Sequence, residues 1–173
     1  MKAIIVTGTP GTGKTTLSKR LAKKLNFVYL DVNETIKKYK LSEGYDKARD
    51  TKIVDIKKLN TAFIKEINNF KNTIKNNKNI KNGIIIDSHL SHYLPKKYVN
   101  LCIIAKCELK ELERRLKKKN YSKQKIRENL DAEIFDICLN EAKESGHKVI
   151  VIDTTKGINI GKISRKVGGL IGI

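Results

Sequence analysis

The sequence predicts an α/β fold built around a mainly parallel β-sheet. Two observations support this prediction: short apolar runs recur along the 173 residues, and stretches with helical periodicity separate them. Apolar runs that are continuous rather than alternating are typical of strands buried on both faces of a parallel sheet, and their alternation with helices indicates the α/β class. The predicted strands are residues 3–6, 27–30, 84–86, 101–105 and 149–152.

The helices are predicted from apolar residues spaced three or four apart, which form a stripe on one helix face. The first stripe follows the first strand, the second precedes the third strand, and the last marks a long helix before the final strand. Between the second stripe and the third strand, residues 71–82 are rich in Lys and Asn, which indicates a helix end and a loop. The stripes are Leu17, Leu21 and Leu25; Leu59, Phe63, Ile67 and Phe70; and Ile126, Leu130, Ile134, Ile137 and Cys138.

The length of the chain suits one domain with one hydrophobic core, so we expect residues 1–173 to form a single unit. No run of about 18 apolar residues occurs, and the N-terminus lacks the pattern of a signal peptide. We therefore expect a cytoplasmic protein that does not contact a membrane.

Basic residues dominate the charge of the chain. Lys and Arg number 37 against 18 Asp and Glu, which gives a net charge of +19. Such a charge attracts polyanions, so RNA is an expected contact. The alternative is a solvated basic surface, because the chain is rich in Lys, Asn and Ile throughout its length.

Residues 8–15 have the sequence GTPGTGKT and match the phosphate-binding pattern G-x-x-x-x-G-K-[ST]. The segment lies between the first predicted strand and the first predicted helix, which is the context that this motif requires. A glycine-rich backbone can turn its N–H groups toward phosphate oxygens, and the helix that follows adds its positive N-terminal end. The alternative, a glycine-rich turn that matches by chance, is disfavoured by this context. The pattern predicts nucleotide contacts from Gly11, Thr12, Gly13, Lys14, Thr15 and Thr16.

Four further roles are expected, two within this motif and two after the third predicted strand. We expect Lys14 to neutralise the β and γ oxygens of ATP and the Thr15 hydroxyl to bind Mg²⁺. Asp87 ends the third predicted strand, where P-loop enzymes place a carboxylate that holds the magnesium shell; a cap on the following turn is the alternative. His89 follows at the sheet edge where ligands bind, as a candidate for orienting a water or as an ordinary loop histidine.

These segments together resemble the adenylate kinase isoenzyme six family, which comprises small nucleoside monophosphate (NMP) kinases and ATPases linked to ribosome assembly. The resemblance covers most of the chain. It implies a P-loop NTPase three-layer fold with a five-stranded parallel sheet, an NMP-binding insertion at about 31–54 and a lid insertion at about 118–128. The residues that carry it are 8–16, the Asp-x-His of 87–89, 43–46 with Asp55, Tyr121, and 133–135.

The resemblance implies transfer of the terminal phosphate of Mg-ATP to AMP or another NMP, with ATPase activity, in small ribosomal subunit maturation. A small-subunit ribosomal protein and a pre-ribosomal particle are then the expected partners, and His89 is expected to support hydrolysis. Two alternatives stay open: an assembly ATPase with incidental kinase activity, and another small-molecule P-loop kinase. A GTPase is disfavoured because no N-K-x-D guanine-reading motif is present.

The family pattern also implies catalytic and adenine-binding residues near the lid. Arg115 matches the basic residue of the helix that enters the lid, and eight basic residues with no acidic one lie between Arg114 and Arg127. Mobile cations that close over a transferring phosphoryl group stabilise its charge; a solvated helix face is the alternative. Lys119 stands where the family usually has an arginine near the adenine, and Lys156 belongs to a loop beside the adenine.

The acceptor insertion carries the remaining expected contacts. Lys37 falls where the family usually has an arginine, and Tyr45 and Asp46 belong to the segment that resembles the family. An ammonium meets a phosphate as a point charge rather than as a bidentate fork. We therefore expect the acceptor activity to be modest or broad in base preference.

Overall fold

The computed structural model describes residues 1–47, 49, 51–76 and 82–173. The strands are β1 (Lys2–Thr7), β2 (Val28–Asp31), β3 (Ser42–Asp46), β4 (Thr51–Val54), β5 (Gly83–Asp87), β6 (Leu101–Lys106) and β7 (Val149–Asp153). The helices are α1 (Lys14–Leu25), α2 (Val32–Lys38), α3 (Ile56–Asn76), α4 (Leu109–Lys118), α5 (Lys123–Ile134), α6 (Ile137–Glu144) and α7 (Ile160–Ile171). Within these ranges no helix combines the length and the apolar content that crossing a bilayer requires.

Five strands form one parallel sheet in the order β2-β5-β1-β6-β7, which confirms the predicted fold class and all five predicted strands. The central strand is β1, where Ile4 pairs with Ile85 of β5 on one side and with Leu101 of β6 on the other. All three residues are 0% exposed. Burial on both faces explains why these strands have continuous apolar sequences.

Helices cover both faces of the sheet and complete three layers. Because successive side chains of a strand point to opposite faces, Val6 packs with α1 and α7, whereas Ile5 packs with α3 and α6. The first two predicted helical stripes are confirmed as core. Their fully buried members are Leu17 and Leu21 on α1, and Leu59, Phe63 and Ile67 on α3.

The single long helix predicted over residues 126–138 is wrong, because α5 ends and α6 begins within it. Asp136 separates the two helices in the left-handed conformation, with φ of 53°, which Asp tolerates better than most residues. Its carboxylate accepts a hydrogen bond from Lys106 Nζ, and Asn140 Nδ2 donates to the Phe135 carbonyl at 3.1 Å. These contacts, one of them with the end of β6, stabilise a break that apolar periodicity does not reveal.

Residues 31–54 contain α2 followed by an antiparallel hairpin of β3 and β4. The hairpin residues are exposed or half-buried, so the segment has no apolar run from which its strands could be predicted. Residues 48 and 50 of this segment lie outside the described residues, as do residues 77–81 of the predicted loop before β5.

The carboxyl ends of the parallel strands bring the predicted site together. The loop after β1 carries the phosphate-binding motif, β2 ends at Asp31, β5 ends at Asp87, and β7 is followed by Thr154. In open α/β sheets, ligands bind at this edge. The topology therefore places these segments around one cleft.

We predict opposite effects on stability from two Gly→Ala substitutions. A Cβ on Gly83 would lie 2.3 Å from Phe27 Cε2, and that ring is 3% exposed in the core. Gly83→Ala should therefore lower the free energy of unfolding by about 1–3 kcal/mol. Gly169→Ala, in α7 with no neighbouring atom within 4 Å of the added Cβ, should raise it by roughly 0.5–1 kcal/mol. Urea unfolding of both variants tests this packing, and a Gly83→Ala variant as stable as the wild type would contradict it.

Candidate active site

A cleft of about 740 Å³ opens at the carboxyl edge of the sheet, a volume within the range of small-molecule sites. Its walls come from the phosphate loop, the ends of β2 and β5, helices α4 and α5, and the hairpin segment. Most of the predicted site residues line it. They are Gly11, Gly13, Lys14, Thr15, Thr16, Asp87, His89, Arg115 and Lys119.

The phosphate loop has a backbone that requires glycine. Gly8 has φ of 137°, and a Cβ there would lie 2.4 Å from the Ala105 carbonyl oxygen. Gly11 has φ of 93°, and its Cβ would lie 2.9 Å from Leu112 Cδ1 and from Leu116 Cδ2. The loop is therefore pressed against β6 and α4, in a backbone conformation suited to wrapping N–H groups around an anion.

Lys14 places its ammonium on the floor of the cleft. Its Nζ donates a hydrogen bond to the Thr9 carbonyl at 2.9 Å. Burial lowers the pKa of Lys14 to about 8, while the Asp87 carboxylate acts in the opposite direction. A phosphate is a charged acceptor and forms a stronger hydrogen bond than a backbone carbonyl does. The Lys14 ammonium is therefore suited to exchanging the Thr9 carbonyl for a phosphate oxygen.

Thr15 and Asp87 meet at the same end of the cleft. The Thr15 hydroxyl donates to Asp87 Oδ2 at 2.6 Å, which brings together the two oxygen groups expected to bind Mg²⁺. A hydroxyl and a carboxylate are the hard oxygen ligands that this ion prefers. The residues present therefore fit a magnesium ion.

Tyr29 and Asp31 join this group, although the sequence analysis missed both. Asp31 pairs with Asp87 in the β2–β5 register. The Tyr29 hydroxyl lies 3.0 Å from Asp87 Oδ2 and 3.2 Å from Asp31 Oδ2, and it has one hydrogen to donate to either. Burial, and then the Asp87 charge, raise the pKa of Tyr29. A signal existed in the sequence, because Asp31 ends the second apolar run as Asp87 ends the third.

His89 lies in the loop after β5, with its ring exposed to the cleft. The protein around the ring disfavours the charged form, and the nearby Lys14 ammonium adds repulsion, so the pKa of His89 is lowered. A lowered pKa favours the neutral imidazole at physiological pH. A neutral imidazole can accept a hydrogen bond from a water molecule.

A buried network holds the loop that carries His89. His92, 1% exposed, contacts the Thr7 hydroxyl through Nδ1 at 2.9 Å and Glu141 Oε2 through Nε2 at 2.8 Å. Because a carboxylate only accepts hydrogen bonds, Nε2 of a neutral His92 carries the hydrogen and Nδ1 accepts from Thr7. The Tyr93 hydroxyl donates to the other Glu141 oxygen at 2.8 Å.

Arg115 connects α4 to the loop that follows β7. Its Nη2 donates to the carbonyls of Thr154 at 2.8 Å and Thr155 at 3.2 Å, and its Nε donates to Glu111 at 2.8 Å. The Thr154 hydroxyl in turn donates to the Thr12 carbonyl at 2.6 Å. Arg115 thus braces the phosphate loop through Thr154 while it lines the cleft.

Lys119 and Lys125 both lie near an aromatic ring in the cleft wall. Their Nζ atoms are 6.0 and 4.0 Å from the centre of the Tyr121 ring. Contacts of this kind between cations and aromatic faces are attractive. The wall near the predicted adenine position therefore combines two ammonium groups with one ring.

Five of the predicted site residues do not line the cleft. Lys37 is exposed on α2, Tyr45 and Asp46 lie on β3, and Lys156 is exposed in the loop after β7. Their assigned roles stay predictions. Thr12 is also absent from the cleft surface, because its side chain is 0% exposed beneath the loop.

Arg49 lines the cleft and was missed by the sequence analysis. Its Nη1 donates to Asp46 Oδ2 and its Nε donates to Glu128 Oε2, both at 3.1 Å. The second contact joins the hairpin segment to α5. The available signal was compositional, because Arg49 is the single arginine within residues 31–54.

We predict that His89 titrates below the ordinary histidine midpoint of about 6.5 and is neutral at pH 7, because its surroundings and Lys14 disfavour the imidazolium. Two-dimensional NMR of histidine-labelled protein measures this directly, since the chain has only three histidines. His89→Gln assigns the signal. A midpoint at or above the ordinary value would contradict the electrostatic description of the cleft.

Comparison with known proteins identifies relatives of this chain. A profile of the AAA domain family matches residues 4–136. The chain is 41% identical to a putative adenylate kinase of Methanocaldococcus jannaschii over 152 residues, which cover 88% of this chain and 76% of the relative. It is 32% identical to an adenylate kinase isoenzyme 6 homolog of Dictyostelium discoideum, with 87% of this chain and 79% of the relative covered.

A solved structure supports the fold. Deoxyadenosine kinase from M. mycoides with bound dATP aligns over 97% of this chain and all of its own length, with a TM-score of 0.56 and 17% identity. At that identity the likeness concerns the fold alone. The identities to the two adenylate kinase relatives are higher and extend over most of both chains, so this chain belongs to the adenylate kinase isoenzyme 6 family of P-loop NMP kinases.

Proposed function

We propose that this protein transfers the terminal phosphate of Mg-ATP to AMP or another NMP. The observation that carries the proposal is that Lys14, Thr15 and Asp87 share one cleft with the segment formed by α2 and the hairpin. A phosphotransferase must hold donor and acceptor facing each other. The relatives named as adenylate kinases support this choice of substrates.

On the donor side, the N–H groups of the phosphate loop and the Lys14 ammonium bind the phosphates of ATP. Mg²⁺, when bound through Thr15 and Asp87, neutralises phosphate charge. Lys119, together with Lys156 of the loop after β7, is proposed to lie near the adenine. Lys14 and Arg115 stabilise the negative charge that spreads over the transferring phosphoryl oxygens.

On the acceptor side, Lys37, Tyr45 and Asp46 are proposed to contact the NMP. Because they stand outside the cleft wall, the contact requires α2 and the hairpin to move toward the cleft. Closure of insertions is the usual way in which such enzymes exclude water from the reacting phosphate. Asp46 already contacts Arg49, which lines the cleft.

We further propose ATP hydrolysis in small ribosomal subunit maturation as a second function of the same site. The Asp87-Ser88-His89 sequence supports it, because a neutral His89 exposed to the cleft can orient a water. The net charge of +19 supports contact with RNA of a pre-ribosomal particle. A small-subunit ribosomal protein is the proposed partner, and the cytoplasm is the proposed location.

We expect purified protein to convert AMP and ATP to ADP in the presence of Mg²⁺, and Lys14→Met to lower this rate about a hundredfold or more. The lost ammonium stabilises the transferring phosphoryl group. Lys24→Met is the matched control, because Lys24 is exposed at the far end of α1. Chromatography of the products with each monophosphate in turn measures the activity. ATP hydrolysis without any diphosphate formed from a monophosphate would refute the kinase proposal, and a small-molecule acceptor other than an NMP would then be sought.

We also expect His89→Ala to reduce ATP hydrolysis without acceptor about tenfold or more, and to reduce AMP phosphorylation less. The reason is that hydrolysis needs an oriented water, whereas the kinase reaction uses the acceptor as nucleophile. Calorimetric titration with ATP checks that binding persists. Equal losses in both reactions would contradict a role specific to water.

The same variant tests the ribosomal partner. In pull-down experiments across a salt series, bulk RNA should be released as salt rises, whereas a small-subunit ribosomal protein should be retained. Retention should respond to ATP and ADP in the wild type and lose that response in His89→Ala. If the ribosomal protein were released at the same salt concentration as random RNA, a basic surface alone would explain the binding. That result would refute the proposed partner.

A further inference from the structure

Glu133 is a buried carboxylate whose partners belong to two other segments of the site. It is 6% exposed and lies near the end of α5. Its Oε2 accepts from the Thr9 hydroxyl at 2.6 Å, and its Oε1 accepts from the Cys107 N–H at 3.1 Å. Thr9 belongs to the phosphate loop, and Cys107 to the connection between β6 and α4. A carboxylate is costly to bury unless it is paired, so these contacts restrict all three segments.

Thr9 also contacts Lys14 and Thr12, two residues of the phosphate loop that are predicted to bind the nucleotide. Its side chain is 1% exposed, and its carbonyl oxygen accepts from Lys14 Nζ at 2.9 Å and from the Thr12 hydroxyl at 2.8 Å. Because Thr is branched at Cβ, fixing its hydroxyl leaves little rotational freedom at χ1. The bond to Glu133 therefore helps to set the direction of the carbonyl that holds the Lys14 ammonium.

The other end of α5 lies in the cleft wall. Lys125, Glu128 and Asn129 all line the cleft, and Glu133 follows Glu128 by five residues, which is about 7.5 Å along a helix. The cleft-lining residues and Glu133 therefore belong to one helix, and Glu133 joins that helix to Thr9.

We propose that Glu133 is a positioning residue that couples α5 to the phosphate loop and presets the loop, through Thr9, for the phosphates of ATP. The inference rests on the proposed function in one respect, namely that Lys14 binds those phosphates. Glu133 does not touch the nucleotide. Its effect is to keep the Thr9 carbonyl and Lys14 in the arrangement that nucleotide binding uses, so that less ordering is needed at that step.

The test compares Thr9→Val, Thr9→Ser, Glu133→Gln and the double variant Thr9→Val/Glu133→Gln. Thr9→Val retains the size of the side chain without the hydroxyl and should raise the Kd for ATP about tenfold, as expected for a lost hydrogen bond to a charged group. Thr9→Ser should stay within about twofold of the wild type. Glu133→Gln should weaken ATP binding at least as much as Thr9→Val does. The reason is that a Gln amide has one oxygen to accept from both the Thr9 hydroxyl and the Cys107 N–H. The double variant should bind ATP no more weakly than Glu133→Gln alone.

Two controls separate positioning from loss of stability or charge. Gly83→Ala destabilises the core away from the cleft, and Glu144→Gln removes an exposed carboxylate from α6; both should retain the Kd of the wild type. Calorimetric titration with ATP is the readout, so the result does not depend on kinase activity. Unchanged Kd in Thr9→Val, no rescue by Thr9→Ser, additive effects in the double variant, or equal weakening by Gly83→Ala would each overturn the proposal. Failure to phosphorylate any NMP would instead refute the kinase function and leave this test intact.

Discussion

The ammonium of Lys14 in a partly buried position is the constraint around which the site is arranged. Burial, helped by the nearby Lys119 ammonium, lowers the pKa of Lys14, and the carboxylates of Asp87 and Glu133 oppose that effect. The Thr9 carbonyl supplies the direct hydrogen bond. The Lys14 ammonium therefore stays charged while few water molecules surround it. This favours replacement of the Thr9 carbonyl by a phosphate oxygen, which is the stronger acceptor.

The parallel sheet explains why the acidic groups stand near this cation. Asp31 and Asp87 end neighbouring strands in register, and β5 lies beside β1, whose continuation is the phosphate loop. Thr15 at the start of α1 therefore meets Asp87 across the strand ends. The same edge receives α4 and α5 from one direction and the hairpin from the other, and the Arg49–Glu128 ion pair joins these two sides.

The basic run between Arg114 and Arg127 divides into two parts. Some of its cations pair with acidic residues one helical turn away, as is common on solvated helix faces, whereas Lys118, Lys119 and Lys125 line the cleft. The solvated-surface interpretation thus applies to Arg114, Lys117 and Arg127, whereas Arg115 pairs with Glu111 and also lines the cleft. The locally paired residues are Arg114 and Arg115 with Glu111, Lys117 with Glu113, and Arg127 with Asp131.

The sequence by itself determined the five strands, the phosphate loop and the position of Asp87, because each has a local signal: a continuous apolar run, a glycine spacing, or a carboxylate at a strand end. Only the tertiary structure decided that Glu133 contacts Thr9, 124 positions away, and that Tyr29 contacts Asp87, 58 positions away. It also decided the break at Asp136 and the placement of Arg49 in the cleft. Such contacts depend on how separate helices and strands pack, and a lone polar residue carries no periodic pattern that would reveal its distant partner.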